Sequence, residues 1–282
     1  MMKRWVLGVV IAMGVLSGSA PAQEPPAWFE GTINERVTFA RIPNMVLSTA
    51  IRTTLSATRI RRETSLQVAK ISTGTAGIIV DLDKKEAILY RSDLLQKFYC
   101  TLTLAELDTV LHREKLEDFI GGRERGYSRM FLPLMMYPYT VETTKDALTV
   151  QERLCDRNVV NQGIRRWRIA SCREIRVPEA LVHAAYPRIP KELTGYPLEI
   201  IGEVLRDPTK WQGIQIPPWL QKAFETLDKV NDALSLQEIS ASEIKPGKVP
   251  ADAFTLDPSF KKLDTLEELD AKFPEGKRKF DD

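Results

Sequence analysis

Histidine is nearly missing from this 282-residue chain, which has only His112 and His183. A hydrolase with a serine or cysteine nucleophile would have to recruit one of them as its base, and neither lies in a recognisable motif. The sequence has no G-x-S-x-G elbow, no H-E-x-x-H pair, no Walker loop and no G-x-G-x-x-G turn. The cluster from Gly74 to Gly77 is too small to cradle a phosphate. These absences argue for a protein that is not an enzyme, with no catalytic residues, no metal and no cofactor.

Charge of one sign is also lacking. Lysine and arginine total 40 against 38 acidic residues. Without Lys3 and Arg4, 38 basic side chains face 38 acidic ones, so no long-range field draws the chain onto phosphate backbones and nucleic acid is not an expected partner. Long apolar runs are absent as well. The one near the start, Trp5 to Leu16, is shorter than the ~20 residues that span a bilayer, and nothing later reaches that length. It follows Lys3-Arg4 and precedes Ala20-Pro21-Ala22, the pattern of a signal peptide over residues 1–22 cleaved after Ala22. The expected location is the periplasm or the outside of the cell. The first cysteine, Cys100, comes too late to carry a lipid anchor, so the mature chain has no expected membrane segment.

Cysteines are few and odd in number: Cys100, Cys155 and Cys172. The turn-prone Asn161-Gln162-Gly163 lies near the midpoint of the last two, so a hairpin there brings Cys155 and Cys172 opposite each other or within one or two positions. They are the candidate disulfide, provided their Cα atoms approach within ~7 Å. The alternative is three buried thiols acting as small hydrophobes.

What the chain does have is β character. WFEGTINERVTF (28–39), Thr58 to Lys70, Gln96 to Thr103 and LSLQEISASEI (234–244) read as strands. Asn44 to Ala57 fits a strand or a helix. The arginines of TRIRRET (58–64) read as the solvent face of a half-buried sheet. IIVDLDKKEAILY (78–90) gathers three carboxylates between two apolar runs. A calcium loop from Asp81 would need glycine and glutamate where Glu86 and Ser92 stand, so the stretch reads as a solvated hairpin turn. Leu104 to Phe119 changes to helical period and stops at Gly121-Gly122. Thr140 to Asn161 and Ile164 to Val177 read as two arms of one hairpin, followed by an irregular region to Pro190. Residues 206–232, with Trp211, Trp219 and three prolines, read as an insertion. Beyond Phe260 the tail is charged and poor in apolar groups apart from Leu263, Leu266, Leu269 and Phe273, so it reads as a helix at best and otherwise as frayed.

The densest apolar patch after the leader is MFLPLMMYPY (130–139). Its adaptable methionines and irregular backbone suit a binding surface as well as core filling, which makes Met130, Phe131, Leu134, Met135 and Met136 the candidate ligand-lining residues.

The order of FEGTI (29–33), GIIVDLDKKEAILYRSDLLQKFY (77–99), LTGYPLE (193–199) and SLQEISASEIKPGKVPADAFTL (235–256) resembles an uncharacterised family of secreted bacterial domains. That family is itself similar to the periplasmic lipoprotein-carrier superfamily. The likeness covers residues 28–263 and rests on the hairpin Ile79 to Leu89, on Gly195-Tyr196-Pro197, and on Val249, Pro250 and Phe254. The resemblance implies an α+β fold: a curved, incomplete antiparallel β-barrel, a half-barrel wrapped over helices. It would occupy residues 23–263, with helical or loop insertions near 104–136 and 206–232, and leave 264–282 as a polar tail. The implied function is non-enzymatic binding of an apolar ligand, a lipid, acyl chain or lipoprotein, in the concave face. The alternative is a structural or protein-interaction module of the cell envelope with a filled core.

Overall fold

The computed structural model describes residues 27–39, 48–68, 71–112, 139–162, 165–186, 189–204 and 234–273. The leader, the patch at 130–136 and the insertion at 206–232 lie outside them.

Two runs of antiparallel neighbours hold more than half of the described residues. The first is β1 (Gly31–Phe39), β2 (Ser48–Leu55), β3 (Arg59–Val68), β4 (Ile71–Asp81), β5 (Glu86–Asp93) and β6 (Lys97–Thr103). The second is β7 (Tyr139–Val150), β8 (Arg153–Gln162), β9 (Arg165–Cys172), β10 (Tyr196–Val204) and β11 (Leu234–Pro246). They join where the first strand of one pairs with the last strand of the other, Ile33 opposite Ile244 and Val37 opposite Ile239. A short β12 (Lys261–Lys262) adds to β6 in parallel. The result is a single sheet of twelve strands in the order β12-β6-β5-β4-β3-β2-β1-β11-β10-β9-β8-β7.

The half-barrel wrapped over helices is overturned by this arrangement. The sheet is open, mixed through its one parallel pair, and the described residues hold only three short helices: α1 (Leu104–His112), α2 (Glu179–Ala185) and α3 (Leu266–Lys272). The reason is one of length. Helices of seven to nine residues reach ~10–14 Å, whereas strands of seven to thirteen residues reach ~24–44 Å. Such helices cover patches of a sheet and cannot fill a barrel.

Alternation sets the two faces. Ile78 and Val80 of β4, Ala87 and Leu89 of β5 and Cys100 of β6 point to one side, where Leu107 of α1, Leu181 of α2 and Leu269 of α3 join the same buried cluster. Each such leucine or isoleucine contributes about 1.5–3 kcal/mol. Ile79, Tyr90 and Phe254 form a smaller cluster on the other side, under the turn Ala251–Phe254 and with Phe260 against it. The middle of the first run is therefore covered on both faces.

The β4–β5 hairpin is where the sequence reads it. Asp81 accepts hydrogen bonds from the Asp83 and Lys84 amides at 3.0 and 3.1 Å, Lys85 takes the left-handed conformation at φ 56°, and Asp83 and Lys84 are exposed. Three other expectations change. Thr140 to Asn161 is two strands, because Gln151 and Glu152 both adopt positive φ (49° and 61°) and close a two-residue turn. The irregular region before Pro190 contains α2, entered through Pro178. The tail is docked as far as Phe273: Thr265 caps α3 by accepting from the Glu268 amide, and Leu266, Leu269 and Phe273 are buried.

Candidate functional site

The inward rows of β1 and β3 should be apolar from end to end, and each contains one charge. On β1 the row runs Ile33, Glu35, Val37; on β3 it runs Ile60, Arg62, Thr64, and all six residues are buried. Between the two strands lies Thr53 of β2, directly paired with Arg62 and fully buried. Glu35 and Arg62 face each other at 3.3 Å with side chains 1% and 3% exposed. TRIRRET is thus not simply a solvent face. Arg62 turns inward because strand alternation puts it in register with Ile60, and it is tolerated there because β1 supplies a carboxylate.

Two tyrosines from distant parts of the chain close the site. Tyr186, at the C-terminal cap of α2, donates a short hydrogen bond to Glu35. Tyr196, the first residue of β10, lies 3.1 Å from the Tyr186 hydroxyl, their rings edge to face at 5.6 Å. Thr53 donates to the second oxygen of Glu35 at 3.2 Å. The Arg62 guanidinium stacks 4.0 Å above the Tyr186 ring. Nε and Nη1 of Arg62 and the hydroxyl of Thr64 have no hydrogen-bond partner among the described residues.

Electrostatics hold these groups in one state. Burial opposes the charge on Arg62, but the Glu35 carboxylate and then the two phenol oxygens outweigh it, and the guanidinium stays cationic. Burial pushes both phenols well above the ordinary tyrosine value; Glu35 adds to this, against the opposing pull of Arg62. Neutral tyrosines and a locked cation are donors without being proton carriers. The arrangement ties β1, β2, β3, β10 and α2 together away from water.

A second polar group lies on the opposite face. Tyr90 donates to Glu63 at 2.7 Å and accepts from Arg61 at 3.1 Å, while Arg61 pairs with Glu63 at 2.9 Å. The same arginine reaches the carbonyls of Ala253 and Thr255, both at 3.2 Å, pinning the turn that covers Ile79 and Tyr90. Tyr90 lies across its cross-strand partner Gly77, where a Cβ would meet the ring at 2.5 Å.

Of the residues singled out from sequence, Met130, Phe131, Leu134, Met135 and Met136 lie outside the described residues. Cys155 and Cys172 are brought together by the β8–β9 register: both are free, fully buried thiols, and Cys155 donates to the Arg153 carbonyl at 3.4 Å. His183 lies on α2 at 3.3 Å from Glu179, one helical turn away, an ordinary surface pairing. No cluster of three or more potential metal ligands occurs among the described residues. No described helix is long and apolar enough to cross a membrane.

No family model matches the chain, and no curated protein matches it. Among solved structures it is similar to PNGF-II in a P21 crystal form, at 8% identity and TM-score 0.42, over 87% of this chain and 34% of that one. The C2 crystal form of PNGF-II gives 7%, 0.39, 86% and 33%. The chain spans about a third of the length of those proteins. A likeness of this strength carries no functional argument, and it gives no link to lipoprotein carriers.

Proposed function

We propose that the chain is a non-enzymatic, exported protein of the bacterial envelope that works as a protein-interaction module. The closely covered face of its sheet, as far as the described residues show it, supports this reading. Where a lipid chain would need room, β1 to β6 present buried isoleucines and leucines under α1, α2 and α3, and beside them the Glu35–Arg62 pair is sealed by two tyrosines. The apolar groups left for a partner are outside. Leu94 and Leu95, 75% and 95% exposed, form the tip of the β5–β6 turn. Asp93 holds that tip out by accepting from the Leu95 and Gln96 amides, both at 2.8 Å. Exposed neighbouring leucines on a rigid turn suit the apolar surface of a second protein. Export rests on the leader pattern at residues 1–22.

A photo-crosslinking amino acid placed at position 94 or 95 in cells is expected to give the same discrete protein adduct from both positions and none from exposed Lys84. Leu94→Ser should abolish the adduct formed from position 95. The second reading, an apolar ligand held by Met130 to Met136, is favoured by the composition of that stretch. It predicts an acyl lipid in the solvent extract of the purified protein, and recovery of stoichiometric lipid with no adduct would replace the first reading.

A further inference from the structure

We propose that Cys155 and Cys172 close an intrachain disulfide between β8 and β9 as the chain folds, leaving Cys100 as a permanent thiol. The antiparallel register that pairs Asp156 with Ser171 puts the next residues outward, Cys155 and Cys172, directly opposite each other. Opposed residues of an antiparallel pair have Cα atoms ~4.5 or ~5.5 Å apart according to their hydrogen bonding. Both separations fall within the ~4.4–6.8 Å that a disulfide spans. The neighbouring strands are fixed on both sides: Leu148 pairs with Cys155 from β7, and Tyr196 pairs with Cys172 from β10.

Cys100 has no such partner. It lies on β6, with seven strands between it and β9 in the sheet, and its charged neighbours are Asp270 and Glu267 of α3.

The chemistry balances with a small-molecule disulfide as oxidant. One cysteine thiolate attacks the reagent's S–S bond, forming a mixed disulfide and releasing one reagent thiolate. The second cysteine thiolate then attacks the protein sulfur of that mixed disulfide, forming the Cys155–Cys172 bond and releasing the other reagent thiolate. The two protons leave with the released thiols. Two protein thiols are oxidised and one reagent disulfide is reduced. Both cysteines are fully buried in the folded chain, and burial together with its neighbour pushes the Cys155 thiol up to about 12. Attack therefore belongs to folding, before the strands close over the sulfurs.

The test is to unfold the reduced full chain, refold it in oxidised and reduced glutathione, and count alkylatable thiols in denaturant by intact mass. The expected result is one alkylated thiol, mapped to Cys100, with a peptide linking Cys155 to Cys172 that has lost two hydrogens. Reduced protein that is already folded should keep three alkylatable thiols for far longer in the same buffer. Cys100→Ser should close the same bond, and Cys155→Ser should keep both remaining thiols free. Refolded protein with native circular dichroism and three free thiols would overturn the proposal, as would a linkage through Cys100.

Discussion

Replacing Glu35 with glutamine is the sharpest test of the buried clamp. The substitution keeps shape and volume but removes the carboxylate charge 3.3 Å from Arg62, and turns an amide N–H₂ toward a guanidinium and a threonine hydroxyl that both need acceptors. An unpaired cation buried to 3% exposure is left behind. Breaking a pair in such a setting costs about 3–5 kcal/mol, far above the ~0–1 kcal/mol of a surface pair. At ~2–4 °C per kcal/mol for a domain of this size, the thermal midpoint should fall by ~6–20 °C. Arg62→Met should cost a similar amount by stranding the carboxylate. The double variant Glu35→Gln, Arg62→Met leaves no charge inside and should be more stable than either single variant. Tyr186→Phe, which deletes one donor to Glu35, should cost about 1 kcal/mol. Urea unfolding of the four variants measures all of this. A loss below ~1 kcal/mol for Glu35→Gln, or a double variant whose cost equals the sum of the singles, would show that the pair is not held as described.

Two further outcomes follow from the same geometry. Gly77→Ala puts a methyl 2.5 Å from the Tyr90 ring and 2.7 Å from the Arg62 carbonyl, so Tyr90 must leave Glu63 and Arg61; urea unfolding should register a loss of about 1–3 kcal/mol, and a neutral result would mean the ring does not lie over the glycine. The phenols of Tyr90, Tyr186 and Tyr196 are all raised by burial above the ordinary value of 10, so the folded state keeps protons that the unfolded state has lost above pH 10. The stability these groups contribute is therefore intact below pH 10 and declines as pH climbs past it. In a spectrophotometric titration, Tyr90, Tyr186 and Tyr196 should ionise late and together with loss of near-ultraviolet dichroism; complete tyrosine ionisation near pH 10 with the dichroism unchanged would count against burial.

How far the sequence speaks depends on the range of the interaction. The β4–β5 hairpin is legible because everything it needs is local: period-two apolar runs, and an Asp81 that receives the amides two and three residues on. LSLQEISASEI is equally legible as a strand, yet its place is not, because β11 lies between β1 and β10 and its partner Ile33 is more than two hundred residues away from Ile244. Nothing local says which edge a strand will choose, so the single open sheet could be mistaken for a half-barrel. The turn at Gln151–Glu152 carries no asparagine or glycine to mark its positive φ, and α2 is too short for helical period to stand out against its flanking prolines. The buried clamp is the instructive case. Glu35 in Ile33-Asn34-Glu35 and Arg62 among the three arginines of TRIRRET carry no local sign of burial, since an isolated buried charge is prohibitive. The signal lies in the pair: Ile33-x-Glu35-x-Val37 and Ile60-x-Arg62-x-Thr64 are inward rows carrying opposite charges two strands apart, offset by one inward position, with Glu35 in line with Ile51 and Arg62 in line with Thr53 of β2. Desolvation that forbids each charge alone permits them together, so only knowledge of which strands are neighbours turns two apparent surface residues into the centre of the fold.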